Sequence, residues 1–345
     1  MAKPRFLLSR SKVLEQYNAL KKLGIAISYS VKTNAEVAKI LEQETDCMFS
    51  IHNPKNLAII NDKSRVWFFP QAWKKSDIEW LLSEGVRNFV VDNTNDLQVL
   101  VNYLKNSPQS LNLLLRMRLK EHTIFTGRYF VFGMPASIIN EWVPKLKPLV
   151  GKLGVHFHRK TQNVSEWRLK EELEQTLSKE TLEAIDLVNI GGGFPAQYKN
   201  TSDQVMDMVV NEIKSLKAWL GKLGISIIAE PGRFIAAPAV KLEVEVINVY
   251  ERNIIVNCSV YSAAMDTIVV PIKLMVEGEL EPEQAEGAKP YTIKGISPDS
   301  MDIFRYKVFL KPPRVGDKLI FLNAGAYNYY CDFCNYDKPE TVIVD

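Results

Sequence analysis

Short apolar runs alternate with longer stretches of helical spacing between residues 24 and 233. The stretches Ala35–Glu42, Lys75–Ser83 and Asp96–Leu104 repeat apolar residues at the period of an amphipathic helix. A strand that follows such a helix lies parallel to the strand before it. The predicted strands are Ala26–Val31, Cys47–Ile51, Val66–Phe69, Asn88–Val91, Asn112–Leu119, Gly154–His158, Asp186–Ile190 and Ile225–Glu230.

Eight strand–helix units in series, over about 210 residues, predict a (β/α)8 barrel. The alternative, a doubly wound open sheet, usually has fewer units. After Phe234 apolar and polar residues alternate, as in Val240–Val246, which is typical of a strand with one face in water. Further strands are predicted at Ile254–Val260, Thr267–Val276, Tyr291–Ile296, Lys318–Leu322 and Thr341–Val344. We therefore predict a barrel domain over residues 8–237 and an antiparallel β domain formed by residues 1–7 and 238–345.

Composition excludes several classes of protein. The chain has 345 residues, 46% hydrophobic and 24% charged, enough for a large core without disulfides. A net charge of +3 gives no electrostatic case for binding nucleic acid, and no apolar stretch is long enough to span a membrane. Four cysteines and the absence of a secretory signal predict a reduced, cytosolic protein. The pair Cys331 and Cys334 lacks a second pair of ligands, so we predict no metal site.

Several residues that can carry chemistry follow the predicted barrel strands. Active sites of such barrels lie at the carboxyl ends of the strands, which meet at one rim. Each residue alone is explained more simply as a surface, scaffold or turn residue. Together, with glycine turns that expose backbone N–H groups to an anion, they predict a site for a phosphate compound. They are Lys32, Arg116, His158, Gly191, Gly192, Gly193, Glu230, Gly232 and Arg233.

The sequence around these residues is specific as well. The motifs are Ser-Tyr-Ser-Val-Lys32-Thr-Asn, Gly154-Val-His-Phe-His158, Asn189-Ile-Gly-Gly-Gly-Phe-Pro195, Ala229-Glu-Pro-Gly-Arg233 and Asn323-Ala-Gly-Ala-Tyr327. In this order they resemble fold-type III pyridoxal-phosphate enzymes, and in particular the ornithine and diaminopimelate decarboxylase family. The resemblance implies a barrel plus a β domain, pyridoxal 5'-phosphate as cofactor, and a homodimer with shared active sites.

The resemblance also implies a role for each residue. Lys32 would bind the cofactor covalently, His158 would stack on its ring, and Glu230 would keep the ring nitrogen protonated. Arg116 would be a cation near the ring. Asp299 would reach the substrate from the partner subunit, although a turn residue explains it more simply. The implied phosphate ligands are Gly191, Gly192, Gly193, Gly232, Arg233 and the hydroxyl of Tyr327.

The implied reaction is decarboxylation, which yields an amine and CO2. A carboxylate at the ring nitrogen, Glu230, favours this over racemisation, because the related alanine racemases have an arginine there. The expected substrate is a diamino L-amino acid such as ornithine or lysine, or an amino-acid conjugate of the kind found in siderophore or polyamine pathways. The alternatives are a catalytically inactive homologue that acts as a binding partner, and a racemase on the same scaffold.

The sequence departs from the family pattern near the substrate. Pro298 stands where the family has a cysteine, which with Asp299 makes diaminopimelate a less favoured substrate. The acid that holds the distal ammonium of ornithine is missing from Thr267–Pro271, which leaves Asp266 as the nearby acid. We therefore expect Asp266 or Asp299 to face the substrate.

Two further departures lie inside the predicted barrel. Ser50 stands where ornithine decarboxylases have an aspartate, and His52 and Asn53 are its possible substitutes. His156 lies two residues before His158, so both side chains point to the same face of the strand. His156 either supports the ring neighbour or fills the barrel, and filling is the simpler explanation.

Overall fold

Eight parallel strands close into a barrel in the computed structural model of the protein. The structure describes residues 3–119, 132–159, 167–201, 205–284 and 286–345. A first strand, β1 (Arg5–Leu8), precedes the barrel. The barrel strands, neighbours in chain order, are β2 (Ala26–Ser30), β3 (Met48–Ile51), β4 (Val66–Phe68), β5 (Asn88–Val91), β6 (Asn112–Arg116), β7 (Leu153–His156), β8 (Leu187–Asn189) and β9 (Ser226–Ala229).

Helices follow the strands and pack their apolar faces on the barrel. Several begin where a side chain accepts a backbone N–H, as Asn34 and Asn93 do at the starts of their helices. The helices of this part are α1 (Arg10–Lys21), α2 (Ala35–Glu44), α3 (Pro54–Leu57), α4 (Lys75–Ser83), α5 (Thr94–Asn106), α6 (Ala136–Leu146), α7 (Leu169–Thr176), α8 (Lys179–Ala184), α9 (Val205–Lys222) and α10 (Arg233–Ala236).

The interior of the barrel is filled by a cluster of apolar side chains, separate from the core between strands and helices. Because the strands are buried on both faces, they read as nearly continuous apolar runs in the sequence. The inward cluster consists of Trp67, Phe69, Val90, Leu114, Leu187 and Ile228. Of these, Phe69 also lines the cavity at the carboxyl ends of the strands, so the packed interior lies directly against the site.

A mostly antiparallel sheet forms the second part of the chain, joined by β1, which pairs with its first strand. Two of its strand pairings are parallel. One joins β1 to the strand Glu340–Ile343, and the other joins the strand Asn253–Val256 to the strand Lys289–Lys294. Its strands are β10 (Val240–Tyr250), β11 (Asn253–Val256), β12 (Met275–Val276), β13 (Lys289–Lys294), β14 (Ile303–Leu310), β15 (Lys318–Leu322) and β16 (Glu340–Ile343). Two short helices, α11 (Val260–Ala263) and α12 (Asp266–Val269), follow β11.

The predicted fold class, a (β/α)8 barrel with a C-terminal antiparallel β domain, is confirmed. The strand predicted at Thr267–Val276 is wrong, because its first residues form α12 and only Met275–Val276 pair as a strand. The sequence analysis also missed β14. The domain boundaries at residues 8 and 237 stay a prediction, as does the cytosolic location. Within the described residues, no helix is long and apolar enough to cross a membrane.

Candidate active site

A cavity of about 620 Å³ opens at the carboxyl ends of the barrel strands. It brings together four of the residues predicted from the sequence, Lys32, Arg116, His158 and Glu230. The other lining residues were not selected as site residues from the sequence. They are His52, Phe69, Gln71, Phe132, His156, Arg159, Val269, Val270 and Pro271.

Lys32 lies in a single 3-10 turn between β2 and α2. The turn is held because the side chain of Asn34 caps α2 and its amide donates to the carbonyl of Gly325, 2.9 Å away. Although the side chain of Lys32 is open to solvent, the protein atoms around it lower its pKa by partial desolvation, against the opposing effect of the Glu230 carboxylate. A lowered pKa gives more of the neutral amine, which is the form that attacks an aldehyde.

The carboxylate of Glu230 is buried and held by three side chains. One oxygen, Oε1, accepts hydrogen bonds from Ser50 and Asn189, both at 2.9 Å. The other, Oε2, lies 3.2 Å from Nε2 of His156. The register of the barrel explains this cluster, because Asn189 is the direct neighbour of His156 on adjacent strands. A carboxylate has about four lone-pair sites, so it keeps room for one more donor.

The surroundings keep Glu230 ionised. Burial raises the pKa of this carboxyl, but the interaction with His156, whose ring N–H favours the ionised carboxylate, outweighs burial and brings the pKa to about 2. Ser50, one of the departures from the family pattern, donates to Glu230 and so adds no competing negative charge. A ring nitrogen placed beside Glu230 would therefore meet a fixed negative charge, as the sequence analysis expects.

Three histidines line the cavity, and all are held neutral. Burial lowers the pKa of His156, and desolvation by the surrounding protein lowers the pKa of the half-buried His52 and of His158. The Gly192 N–H donates to Nδ1 of His158 at 3.2 Å, so this ring carries its proton on Nε2. His52 stacks on Phe69 with ring centroids 4.4 Å apart.

His156 does more than fill the barrel. It is buried in the barrel as the simpler explanation expects, and it also lines the cavity and contacts Glu230, a partner that neither explanation named. The sequence signal that could have found it is its spacing of two residues from His158. Asn53, the other possible substitute at the position of Ser50, caps α3 by accepting the N–H of Lys55 and is not among the lining residues.

Arg116 lies at the edge of the cavity in an ion pair. Its guanidinium donates to Asp92 at 3.0 Å and lies 4.9 Å above the ring of Phe132. Asp92 offsets its charge, so Arg116 adds little net charge to the cavity. This is compatible with a position beside a cofactor ring and not with a free cation that captures an anion.

In the glycine turn after β8, the backbone passes too close to neighbouring carbonyl groups to leave room for a side chain. A Cβ atom at Gly191 would lie 2.2 Å from the carbonyl oxygen of Phe157, and one at Gly192 would lie 2.8 Å from that of Glu230. The N–H groups of Gly191 and Gly192 already donate to Asn189 and His158. Of the three glycines, only Gly193 keeps an N–H without a hydrogen-bond partner among the described residues.

These features fit pyridoxal phosphate. The set offers an amine for the aldehyde, a carboxylate for the ring nitrogen and a backbone turn for the phosphate. In addition, Nδ1 of His52 and Nδ1 of His156 are buried without a hydrogen-bond partner among the described residues. Buried polar atoms of this kind are rare in a finished core and mark a place where a ligand or water belongs.

The prediction that Asp266 faces the substrate is corrected. Asp266 is 2% exposed and forms a buried ion pair with Arg233, so it does not line the cavity. Arg233 is thereby engaged as well, and its guanidinium lies 5.1 Å above the ring of Tyr327. Gly232, Arg233 and Tyr327 lie close to one another but outside the cavity lining.

Asp299 lies on an exposed loop of the β domain and is not among the residues that line the cavity. The loop is held by Asp302, whose carboxylate accepts from the N–H groups of Val260 and Ser297. Asp299 itself accepts the N–H of Met301 at 2.8 Å, which is a turn contact. The role of Asp299 toward the substrate stays a prediction.

Comparison with known proteins defines the class. A family model described as "Pyridoxal-dependent decarboxylase, pyridoxal binding domain" matches residues 10–237. This match covers more than half of the sequence. The chain therefore belongs to the pyridoxal-dependent decarboxylase family, and the predicted family and cofactor are confirmed.

Several known proteins are similar over most of the chain. Antizyme inhibitor 2 of Xenopus laevis is 25% identical over 87% of this chain and 71% of its own length. Diaminopimelate decarboxylase of Staphylococcus aureus is 26% identical over 93% of this chain and 82% of its own. The crystal structure of lysine/ornithine decarboxylase from Vibrio vulnificus, with putrescine, has a TM-score of 0.78 at 21% identity and covers 99% of this chain and 94% of that one.

The buried histidines predict a loss of stability in acid. Because the folded-state pKa of His156 lies below the ordinary value of 6.5, the folded protein binds fewer protons than the unfolded chain. The free energy of unfolding should therefore fall as the pH drops below 6.5. We expect His156→Gln, which keeps a donor toward Glu230, to show a smaller fall between pH 7.5 and 5.5 in urea titrations. Parallel curves for the two proteins would contradict this assignment.

Proposed function

We propose that the protein is an active decarboxylase that uses pyridoxal phosphate to remove the α-carboxylate of an amino acid as CO2, leaving an amine. The observation that carries this proposal is the meeting of the Lys32 amine and the buried Glu230 carboxylate in one cavity. One relative is named as an inhibitor and not as an enzyme, so family membership alone does not decide activity. The retained lysine and carboxylate support an enzyme.

Each residue has a physical task in this reaction. When bound, pyridoxal phosphate supplies an electron sink for the electron pair left by the departing CO2. Lys32 would hold the cofactor covalently through its amine, and its lowered pKa favours the neutral, nucleophilic form. Glu230 would keep the ring nitrogen protonated, and the neutral ring of His158 would stack on the cofactor ring. Arg116 would lie near that ring, and Gly193 would donate its N–H to the phosphate.

We propose that the substrate is a diamino L-amino acid or an amino-acid conjugate. Among the described lining residues Glu230 is the only carboxylate, and it is already held by three side chains. Val269, Val270 and Pro271 form an apolar wall instead. A distal ammonium therefore needs an acid from a second subunit, and we assign this role to Asp299.

The surface around Asp299 supports a homodimer. Ile296 and Met301 flank it on the same loop and are 48% and 58% exposed, and Val269 at the cavity wall is 70% exposed. Exposed apolar side chains on this loop and at the wall of a cavity whose one described carboxylate is already engaged are explained if the loop of one subunit covers the cavity of the other. Asp299 would then arrive with its apolar neighbours.

Release of labelled CO2 tests the activity directly. We expect the protein loaded with pyridoxal phosphate to release CO2 from carboxyl-labelled L-lysine, L-ornithine or a conjugate of either, and not from the matching D-amino acids. Loaded protein that releases no CO2 from any of these compounds would favour the inactive homologue.

Mixed dimers test the assignment of Asp299. Lys32→Ala and Asp299→Ala subunits should each be inactive alone, but a mixed dimer contains one site with both native residues. Equal co-expression should therefore restore about a quarter of wild-type activity, because half of the dimers are mixed and each has one intact site. If Asp299 serves its own subunit, no mixture contains an intact site and activity stays at the level of the single variants.

A further inference from the structure

A buried ion pair joins Arg233 at the start of α10 to Asp266 at the start of α12. Their side chains are 2% and 1% exposed. Both terminal nitrogens of the guanidinium contact the carboxylate, one of them at 2.8 Å from Oδ1. The nitrogen that contacts Oδ2 also donates to the hydroxyl of Tyr198 at 2.8 Å. Such a two-point contact fixes both side chains and leaves the guanidinium little freedom to turn toward another anion.

Asp266 is also tied to the loop that contains Tyr327. Its backbone N–H donates to the side chain of Asn328 at 3.0 Å, and the amide of Asn328 donates to the carbonyl of Ala324 at 2.8 Å. The N–H of Tyr327 donates to the carbonyl of Thr33, next to Lys32. Asp266 therefore links Arg233 to the loop of Tyr327, and the sequence resemblance assigns both of these residues to the phosphate.

The charges of the two side chains determine whether this ion pair can bind an anion. A phosphate group carries a charge of about −1.5 to −2 near neutral pH. The carboxylate of Asp266 cancels the charge of Arg233, and it would repel a phosphate that came close enough to touch the guanidinium. Removing one partner of a buried pair leaves the other charge uncompensated, which an incoming anion can then satisfy.

We propose that Asp266 withholds Arg233 from the phosphate of the cofactor, so that Arg233 braces α10 against α12 and the phosphate depends on Gly193 and Tyr327. Asp266 is then the positioning residue that sets how strongly the phosphate is held. The inference rests on the proposed use of pyridoxal phosphate. The sequence resemblance implies that Arg233 binds the phosphate, whereas in this chain its guanidinium is already paired with Asp266.

The Asp266→Asn variant tests this with two ligands that differ only in the phosphate. Equilibrium dialysis of protein freed of cofactor gives the dissociation constants of pyridoxal phosphate and of pyridoxal. We expect the variant to bind pyridoxal phosphate about tenfold more tightly than wild type, the effect of one added charge-assisted hydrogen bond, with the affinity for pyridoxal unchanged. Tyr198→Phe is the matched control, because it removes a contact of Arg233 but keeps the carboxylate.

Equal or weaker binding of pyridoxal phosphate by Asp266→Asn, with pyridoxal unchanged, would overturn the proposal. If that variant does not fold, the double variant Arg233→Gln with Asp266→Asn removes both charges together. The proposal expects the ratio of the two dissociation constants to stay within about threefold of wild type, whereas a tenfold loss of discrimination would show that Arg233 holds the phosphate. Wild-type protein that binds neither compound would contradict the proposed function itself.

Discussion

The Lys32→Ala variant is expected to lose decarboxylation by about 10⁴-fold or more, the largest effect that we predict. The amine of Lys32 is the one primary amine among the described residues of the cavity lining, and the protein around it lowers its pKa. Without it, the cofactor cannot be held covalently. The measurement is the visible absorbance of protein loaded with pyridoxal phosphate, before and after borohydride, together with CO2 release.

Lys39→Ala is the matched control for this experiment. Lys39 lies on α2, a few residues from Lys32, but its side chain is 52% exposed and pairs with Glu36. We expect this control to keep both the reducible absorbance and the activity. A Lys32→Ala protein that kept the reducible absorbance would show that another lysine holds the cofactor, and our assignment would be wrong.

Glu230→Gln is expected to lower kcat by about 10²–10³-fold while pyridoxal phosphate still binds, because the variant keeps Lys32 but loses the charge that faces the ring nitrogen. The amide can still accept from Ser50 and Asn189. Its NH2 group, however, faces His156, whose ring must then present an unprotonated nitrogen. The variant therefore tests charge with little change in shape.

The pH dependence separates Glu230 from other groups. Its pKa of about 2 means that Glu230 stays ionised down to that pH and protonates only below it. An acid limb in the wild-type rate profile above pH 4 must therefore come from another group, and Glu230→Gln should keep that limb at a lower rate. Glu36→Gln on the surface is the control. A kcat within threefold of wild type would contradict the role of Glu230.

Local pattern was sufficient for the barrel and for part of the site. Apolar runs separated by amphipathic stretches predicted all eight barrel strands in their order. This was possible because the spacing of apolar residues within a strand or a helix is a local property of the sequence. The rim was predictable for the same reason, since residues such as Lys32, His158 and Glu230 directly follow strands. The errors lie where contacts are distant. His156 contacts a carboxylate 74 positions away, and no local period encodes that partner.

The segment after Tyr261 shows the same limit in the β domain. Its β-branched residues predicted a strand, but Asp266 pairs with an arginine 33 positions earlier, and this contact helps to hold a short helix instead. The sequence alone determined the barrel with its β domain and the rim residues Lys32, Arg116, His158 and Glu230, because these follow from periodicity and position after strands. Only the tertiary structure decided that His156 supports Glu230 and that Asp266 closes on Arg233, because buried charges choose their partners by proximity in space and not by distance along the chain.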